Sequence, residues 1–483
     1  MDSLTLLAIF VIGTLLLAAT KNERFFIVFM IRTRYFLNAI DRIASIAPWL
    51  WIFLADLAVV FSFGGLGGAY LSKKGSRKNL DIIFYFIGVL CILIWYKNPL
   101  LAAALLLALH LIVVRLRALK NAALDFLFSS AVVGLSFFGV LMLALSIFTA
   151  PGTSKSPNEL IYIFSVADGM MGPAAIIIVS LLSQGYSIVF DHSTMPGISP
   201  LLPGTQEGKV GFQFPGYDIF VPIVFGVIAL IVTLFAHEFA HGVLARVYKM
   251  KLKSTGILTF GIMPIGAFVE PDDEDMKKHG TLEKMHVFAA GSFSNMIVSF
   301  IAVAAIIAMM ASPSHFATEA GVLVLNTTEG YPAWGALNSS TVILEVNGIE
   351  TATTREFQQA MSGVKPGENV TLMTDGGVVG ITTVANPEDN SSSFIGIIFA
   401  QQYAPGFMLV LIGWILFFNF NIALANLLPL PVFDGWRMLG ELAKTLTATQ
   451  ASADRIAKWV VTATILIVLI NVYPLFEGLF SAL

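Results

Sequence analysis

"LIVTLFAHEFAHGVLARVYKMK", residues 230–251, is an apolar helix long enough to sit in a bilayer, yet it carries His-Glu-Phe-Ala-His. Ionisable groups inside a membrane are costly and mark functional sites. The rest of the chain fits that setting. It has 483 residues, of which 57 % are hydrophobic and only 12 % charged, whereas soluble domains carry about 25 % charged residues. The composition is that of a polytopic α-helical membrane protein. The net charge of −3 comes with no basic tract, so no nucleic-acid partner is expected. One cysteine, Cys91, excludes an intrachain disulfide and a Cys-rich metal site.

A spanning helix needs about 20 mostly apolar residues. Candidates are 3–19, 50–71, 81–96, 99–114, 128–149, 219–245, 285–311, 406–431 and 459–476, with 170–190 a weaker segment that spans, re-enters or lies along the surface. The first lacks a basic leader and a small-residue cleavage site, and reads as a retained helix. Basic clusters at 21–42, 73–78 and 115–120 cannot all be cytoplasmic if every N-terminal candidate is a single span. The topology of residues 1–190 therefore stays open.

The second half is more orderly. Arg246, Lys249, Lys251 and Lys253 follow the HEFAH helix; Lys277, Lys278 and Lys284 precede the next; Arg437, Lys444, Arg455 and Lys458 separate the last two. The positive-inside rule puts all of them in the cytoplasm and residues 312–404 outside. That segment holds only Arg355 and Lys365 against nine Asp and Glu, and carries Asn-x-Ser/Thr triplets at Asn326, Asn338, Asn369 and Asn390. It reads as a small soluble insert, with strands in "AGVLVLN", "TVILEVNG", "NVTLMTDGG" and "VVGITTVAN" and a helix in "TREFQQAMSG". Residues 191–217 are a Pro/Gly-rich external loop leading into the HEFAH helix.

Residues i and i+4 share a helix face, so His237 and His241 can grip one metal ion from consecutive turns. Glu238 sits beside them, within reach of a metal-bound water. This is the HExxH zinc-protease pattern; a chance match in a core helix is the bland alternative. Catalytic zinc takes three protein ligands and keeps one position open. His286 and His110 are lone histidines on apolar stretches and read as satisfied core residues, while Glu270 to Asp275 read as a solvated loop. Asp434 ends "NFNIALANLLPLPVFDGWRM", where Pro429, Pro431 and Gly435 break an apolar segment. Backbone unwinds in a membrane where it lines a cavity, so Asp434 is the third-ligand candidate. An interfacial Asp capping the next helix is the alternative.

These residues resemble the site-2 protease family of intramembrane zinc metalloproteases. HEFAHG (237–242) matches its HExxH, and "NLLPLPVFDG" (426–435) its Asn-x-x-Pro-x-x-x-x-Asp-Gly motif. "AGSFSN" (290–295) is similar to its Gly-x-x-x-Asn segment, "FGIMPIGAFVEP" (260–271) to its membrane-associated β-hairpin, and "MPGISPLLPG" (195–204) to the loop before the catalytic helix. The insert resembles a PDZ domain through "EGYPAWGAL", "ILEVNGIE" and "KPGENVTL"; it departs at "LNSSTVI", where Gly-Asp is usual. The resemblance covers about residues 190–483.

The resemblance implies that His237, His241 and Asp434 bind Zn2+ and that Glu238 is the general base. Asn426 would bind the substrate carbonyl or its oxyanion, or instead make a helix–helix hydrogen bond. Gly291, Asn295, Pro429 and Gly435 would support the site, and Gly261, Pro264, Gly266 and Phe268 on the hairpin would bind substrate. It implies a transmembrane helix bundle with a membrane-associated β-hairpin and an inserted small α/β PDZ-like extramembrane domain. The expected organisation is accessory helices in 1–150, an extracytoplasmic loop with a possible re-entrant segment in 151–217, protease core in 218–311 and 405–483, and the insert in 312–404. The implied partners are the lipid bilayer and transmembrane substrates already trimmed outside; oligomeric state is open. A membrane zinc protease that uses a Glu as third ligand is a first alternative, but no later helix carries one within the membrane. A transporter or scaffold is a second, but the halves lack the paired broken helices of transporters.

Overall fold

The computed structural model describes residues 3–20, 22–74, 77–95, 99–119, 121, 123–135 and 159–481. The N-terminal part holds α1 (Ser3–Ala18), β1 (Glu23–Phe25), β2 (Val28–Thr33), α2 (Tyr35–Ser45), α3 (Pro48–Lys74), α4 (Arg77–Trp95) and α5 (Pro99–Leu119). There follow α6 (Ala123–Leu135), α7 (Glu159–Met171) and α8 (Pro173–Phe190). A short sheet of β3 (Leu202–Gln206), β4 (Lys209–Gln213) and β5 (Phe220–Pro222) leads into α9 (Ile223–Val247), which carries HEFAH. After it come β6 (Leu252–Phe260), β7 (Met263–Pro271), α10 (Asp273–Met276) and α11 (Thr281–Met310).

Six helices among the described residues are long and apolar enough to cross a membrane: α3, α8, α9, α11, the later α14 (Phe407–Asn426) and the Gln450–Glu477 part of α16 (Gln450–Ser481). The chain is a multi-pass integral membrane protein. The expected span at 128–149 starts in α6; residues 136–149 lie outside the described residues. The weak segment 170–190 forms α8 with Gly172 and Pro173 at its start; the expected loop 191–217 contains β3 and β4, which pair with β5 at the start of the expected span 219–245.

A four-stranded antiparallel sheet runs in the order β1-β2-β6-β7. The β6–β7 hairpin is local in sequence. Its extension is not, because β2 pairs with β6 from Val28↔Phe260 to Thr33↔Thr255. The charged N-terminal stretch thus contains a hairpin that shields one side of β6 and leaves β7 at the sheet's edge.

One buried cluster unites α3, α4, α5 and α11 with the later α15 (Asp434–Leu446); Val59, Tyr70, Phe84, Met285, Phe293 and Met438 belong to it. Apolar helices facing lipid gain nothing from burying Leu against Leu. Close packing and polar contacts hold them instead.

Residues 302–413 form a separate compact unit. It contains α12 (Pro313–Phe316), β8 (Ala317–Thr327), β9 (Val342–Val346), β10 (Ile349–Glu350), α13 (Thr354–Ser362), β11 (Asn369–Thr374) and β12 (Gly377–Thr382). β13 (Val384–Ala385), β14 (Ser393–Phe394) and β15 (Ile397–Pro405) complete it. The main sheet has the order β12-β11-β9-β8-β15, with β10 on β9. β11 alternates exposed and buried residues along its length, the signature of a strand with one face on a core. Thr353 caps α13 in a reciprocal capping box with Glu356.

Candidate metal centre

α9 delivers His237 and His241 one turn apart, and their side chains are only 8 % and 11 % exposed. The third group comes from far along the chain. After α14 the backbone breaks at residues 427–433, closed locally by Phe433 N–H donating to Leu430 O at 2.9 Å, and α15 then begins at Asp434. Gly435 is required by that reversal, since a Cβ there would lie 2.3 Å from Leu427 O. Pro429 lies within the break and its missing N–H helps end α14.

Three atoms converge. Asp434 Oδ2 lies 3.1 Å from His237 Nε2 and 3.0 Å from His241 Nε2, and the two nitrogens are 3.1 Å apart. Zinc bonds of 2.0–2.1 Å in tetrahedral geometry place ligand atoms about 3.3 Å apart, so the triangle has the right size. Its electrostatics point the same way. His241 Nδ1–H donates to Val287 O at 2.6 Å, which leaves a lone pair on its Nε2. A carboxylate oxygen and imidazole lone pairs facing one another at this range repel unless a cation or proton lies between them. His237, His241 and Asp434 could together hold a metal ion.

The surrounding residues fit an ion. Asn295 is fully buried against His237, its amide 3.3 Å from Nδ1, and its Oδ1 has no hydrogen-bond partner. A half-turn of that amide brings Oδ1 to the ring, where it accepts from Nδ1–H and leaves Nε2 free to bind metal. Gly291 supplies the space. A Cβ there would meet His241 Nε2 at 2.4 Å and His237 Nε2 at 2.6 Å.

Glu238 projects from the neighbouring face of α9, and its Oε2 accepts from Val269 N–H of β7 at 2.8 Å. It lines a mainly apolar cavity of about 270 Å³ with Ile31, Phe36, Phe235, Gly266 and Phe268. Gly266 and Phe268, expected on the substrate side, face this cavity. Gly261 does not. It takes the left-handed turn between β6 and β7 at φ 57°, and a Cβ on it would strike Thr14 and Phe10 of α1. Pro264 pairs with Thr259, and its side chain lies outside the described residues. Asn426 ends α14 and donates its amide to Ile422 O at 3.0 Å, a bond within its own helix.

Several contributors are invisible in sequence. Val287 and Val269 act through backbone atoms, which no side-chain pattern marks. Ile31 and Phe36 reach the cavity only because β2 pairs with a distant strand.

An uncharacterised protein of Methanocaldococcus jannaschii is 29 % identical to this chain over 256 residues, which are 51 % of this chain and 65 % of that protein. The chain thus spans less than two thirds of that relative's length. Among solved structures, the PDZ domain of an SdrC-like protein of Listeria monocytogenes is 24 % identical; the match covers 17 % of this chain and 87 % of that one, with a TM-score of 0.16. The corresponding domain from Listeria innocua is 26 % identical over 17 % of this chain and 98 % of that one, also with a TM-score of 0.16. Residues 225–471, which include both histidines, Glu238, Gly291, Asn295 and Asp434, match the model of peptidase family M50, the site-2 protease family of membrane zinc metalloproteases, and the chain belongs to that family.

Proposed function

We propose that this protein is an intramembrane zinc metalloprotease that hydrolyses peptide bonds within transmembrane segments of other membrane proteins. The observation that carries the reading is the convergence of His237, His241 and Asp434 beside Glu238, which opens onto the edge strand β7. Zinc bound by those three residues would supply Lewis acidity, bringing the pKa of a bound water to about 7 and polarising the scissile carbonyl.

The chain's own residues do the rest. Glu238 accepts the proton of the attacking water and returns it to the leaving nitrogen, a role for which its place next to His237 suits it. Asn295 and Val287 hold the two imidazoles in the orientation that presents Nε2. Asn426 either donates to the developing oxyanion or stays on Ile422 as a structural bond.

Substrate must be unwound first, because helical backbone is already hydrogen-bonded. The free edge of β7 offers replacement bonds by strand addition. Val269 N–H is the donor that Glu238 now occupies, so a strand added there runs past the site.

Charge supports a sidedness. Arg246, Lys249, Lys251 and Lys253 favour a cytoplasmic HEFAH end of α9, which would leave the acidic insert 312–404 outside. On that reading the insert, PDZ-like in its motifs, admits only substrates whose outer portion has been removed.

The test pairs metal with cleavage. Wild type, Glu238→Ala and Asp434→Ala are purified in detergent, assayed for zinc, and incubated with a single-span substrate. The proposal expects about one zinc and a cut within the span for wild type, zinc without cleavage for Glu238→Ala, and neither for Asp434→Ala. Cleavage by Glu238→Ala at the wild-type rate would remove the proposal.

A further inference from the structure

His286 is not an isolated core histidine. It is fully buried, and its Nε2–H donates to Asp56 Oδ1 at 3.0 Å; Asp56, on α3, is also fully buried. Asp56 Oδ2 accepts from the Asn79 amide of α4 at 2.7 Å. On the other side of the ring, Tyr248 O–H, at the C-terminus of α9, donates to His286 Nδ1 at 2.6 Å. One network therefore ties the N-terminal helices to α9, which carries both histidines of the metal centre, and to α11, which packs beneath them.

The network's position in α11 gives it a consequence. The residue after His286 is Val287, whose carbonyl accepts from His241 Nδ1–H. Gly291 and Asn295, which pack under the histidines, follow on the same helix. α9 and α11 are thus bonded at several points along their length: Tyr248–His286 and His241–Val287, then Asn295–His237 and Ser294 Oγ–H donating to Ala236 O at 3.0 Å. Asp56 fixes the first of these from outside. A sub-ångström slide or a small rotation of α11 would turn the Val287 carbonyl away from His241 and carry Gly291 into the rings.

Packing alone does not account for this arrangement. A buried polar contact to a carboxylate is generally no more stabilising than apolar residues of equal volume, because desolvation offsets the attraction. What such a contact does supply is directional register.

We infer that Asp56 and His286 are positioning residues of the metal centre: the N-terminal helices hold α11 in register so that Val287 O orients His241. The inference rests on the proposed metal site. It assigns the accessory helices a task in that site, with Asp56 acting through His286 and touching neither metal nor substrate.

The test is zinc affinity of the full chain, by competition with a chromophoric chelator, together with the visible spectrum of the cobalt-substituted protein. Losing an outer-shell partner weakens metal binding about 10- to 100-fold. Asp56→Ala is expected to show that loss and a shifted cobalt spectrum. Asp56→Asn keeps an oxygen acceptor for His286 Nε2–H and is expected to recover most of the affinity, a rescue that mere volume does not predict. Because Asp56→Ala strands a buried histidine and could misfold, the paired change Asp56→Leu with His286→Met is measured too. It leaves neither member of the pair exposed to an apolar void, so it should fold, and it should still show the affinity loss.

Folded variants with wild-type affinity and spectrum would overturn the inference while leaving the metal centre standing. A wild type that binds no zinc would overturn the metal centre and this inference with it.

Discussion

Gly291 lies so close under His241 that a Cβ built on it would sit 2.4 Å from the ring's Nε2. That is far inside contact distance, and neither partner can yield. The ring is held through Val287 O, and α11 is held through His286. Gly291→Ala is therefore expected to displace both Nε2 atoms and lower zinc affinity at least about 100-fold, read by chelator competition. Gly440→Ala is the control. Nothing lies within 4 Å of a Cβ there, so zinc binding should be unchanged. Equal affinity for Gly291→Ala and wild type would mean that the rings have slack this geometry denies them.

Asn295 is the remaining partner of His237. Asn295→Leu fills the same volume without an acceptor, and is expected to weaken zinc binding about 10- to 100-fold with little effect on thermal stability. Asn295→Asp keeps an oxygen toward Nδ1 and should bind zinc more tightly than Asn295→Leu. The reverse order would place Asn295 outside the metal's support.

Much of the core was legible because its logic is local. His237 and His241 share a face at any i,i+4 spacing, and the structure puts their Nε2 atoms 3.1 Å apart. Asp434 stood out through the two prolines that break its segment, and it joins them across 193 residues. What sequence did not reveal depends on distant pairing. The stretch 21–42 reads only as a basic cluster, and its strand β2 goes unmarked because its partner, β6, lies over 200 residues away. His286 reads as a satisfied core residue, but its acceptor, Asp56, lies 230 positions away and no local pattern marks the pair.

β7 is also tied to the N-terminal hairpin by charge. The Ser254 hydroxyl donates to Glu270 at 2.6 Å, and Arg32 of β2 stands 3.2 Å away. These contacts, Ser254 first, hold the Glu270 carboxyl below its ordinary range. A depressed folded-state pKa contributes stability above the unfolded value, and that contribution is lost as pH falls through the folded one. Wild type should thus lose more thermal stability on acidification than Glu270→Gln, the two curves meeting below the carboxylate range. Much of the difference should vanish in high salt, because Arg32 and Glu270 are partly exposed. Parallel curves at every pH would show that the contact is inert.

The edge of β7 yields the most direct test of how substrate is held. Val269 N–H points away from β6, toward Glu238. Strand geometry alternates, so the N–H and C=O of Ala267, two residues earlier, point to the same open side. Ala267→Pro removes one outward donor without breaking the β6 ladder, a position where edge strands tolerate proline. One lost hydrogen bond is worth about 0.5–1.5 kcal/mol, so kcat/KM for a single-span substrate should fall roughly 2- to 10-fold. Zinc content should stay at the wild-type level, which separates this loss from damage to the metal centre. Ala267→Val adds bulk but keeps the N–H, and should cleave faster than Ala267→Pro. If the proline variant cleaves as well as wild type, substrate does not add to this edge at residue 267, and binding must be sought on the apolar wall of Phe36, Phe235 and Phe268 instead.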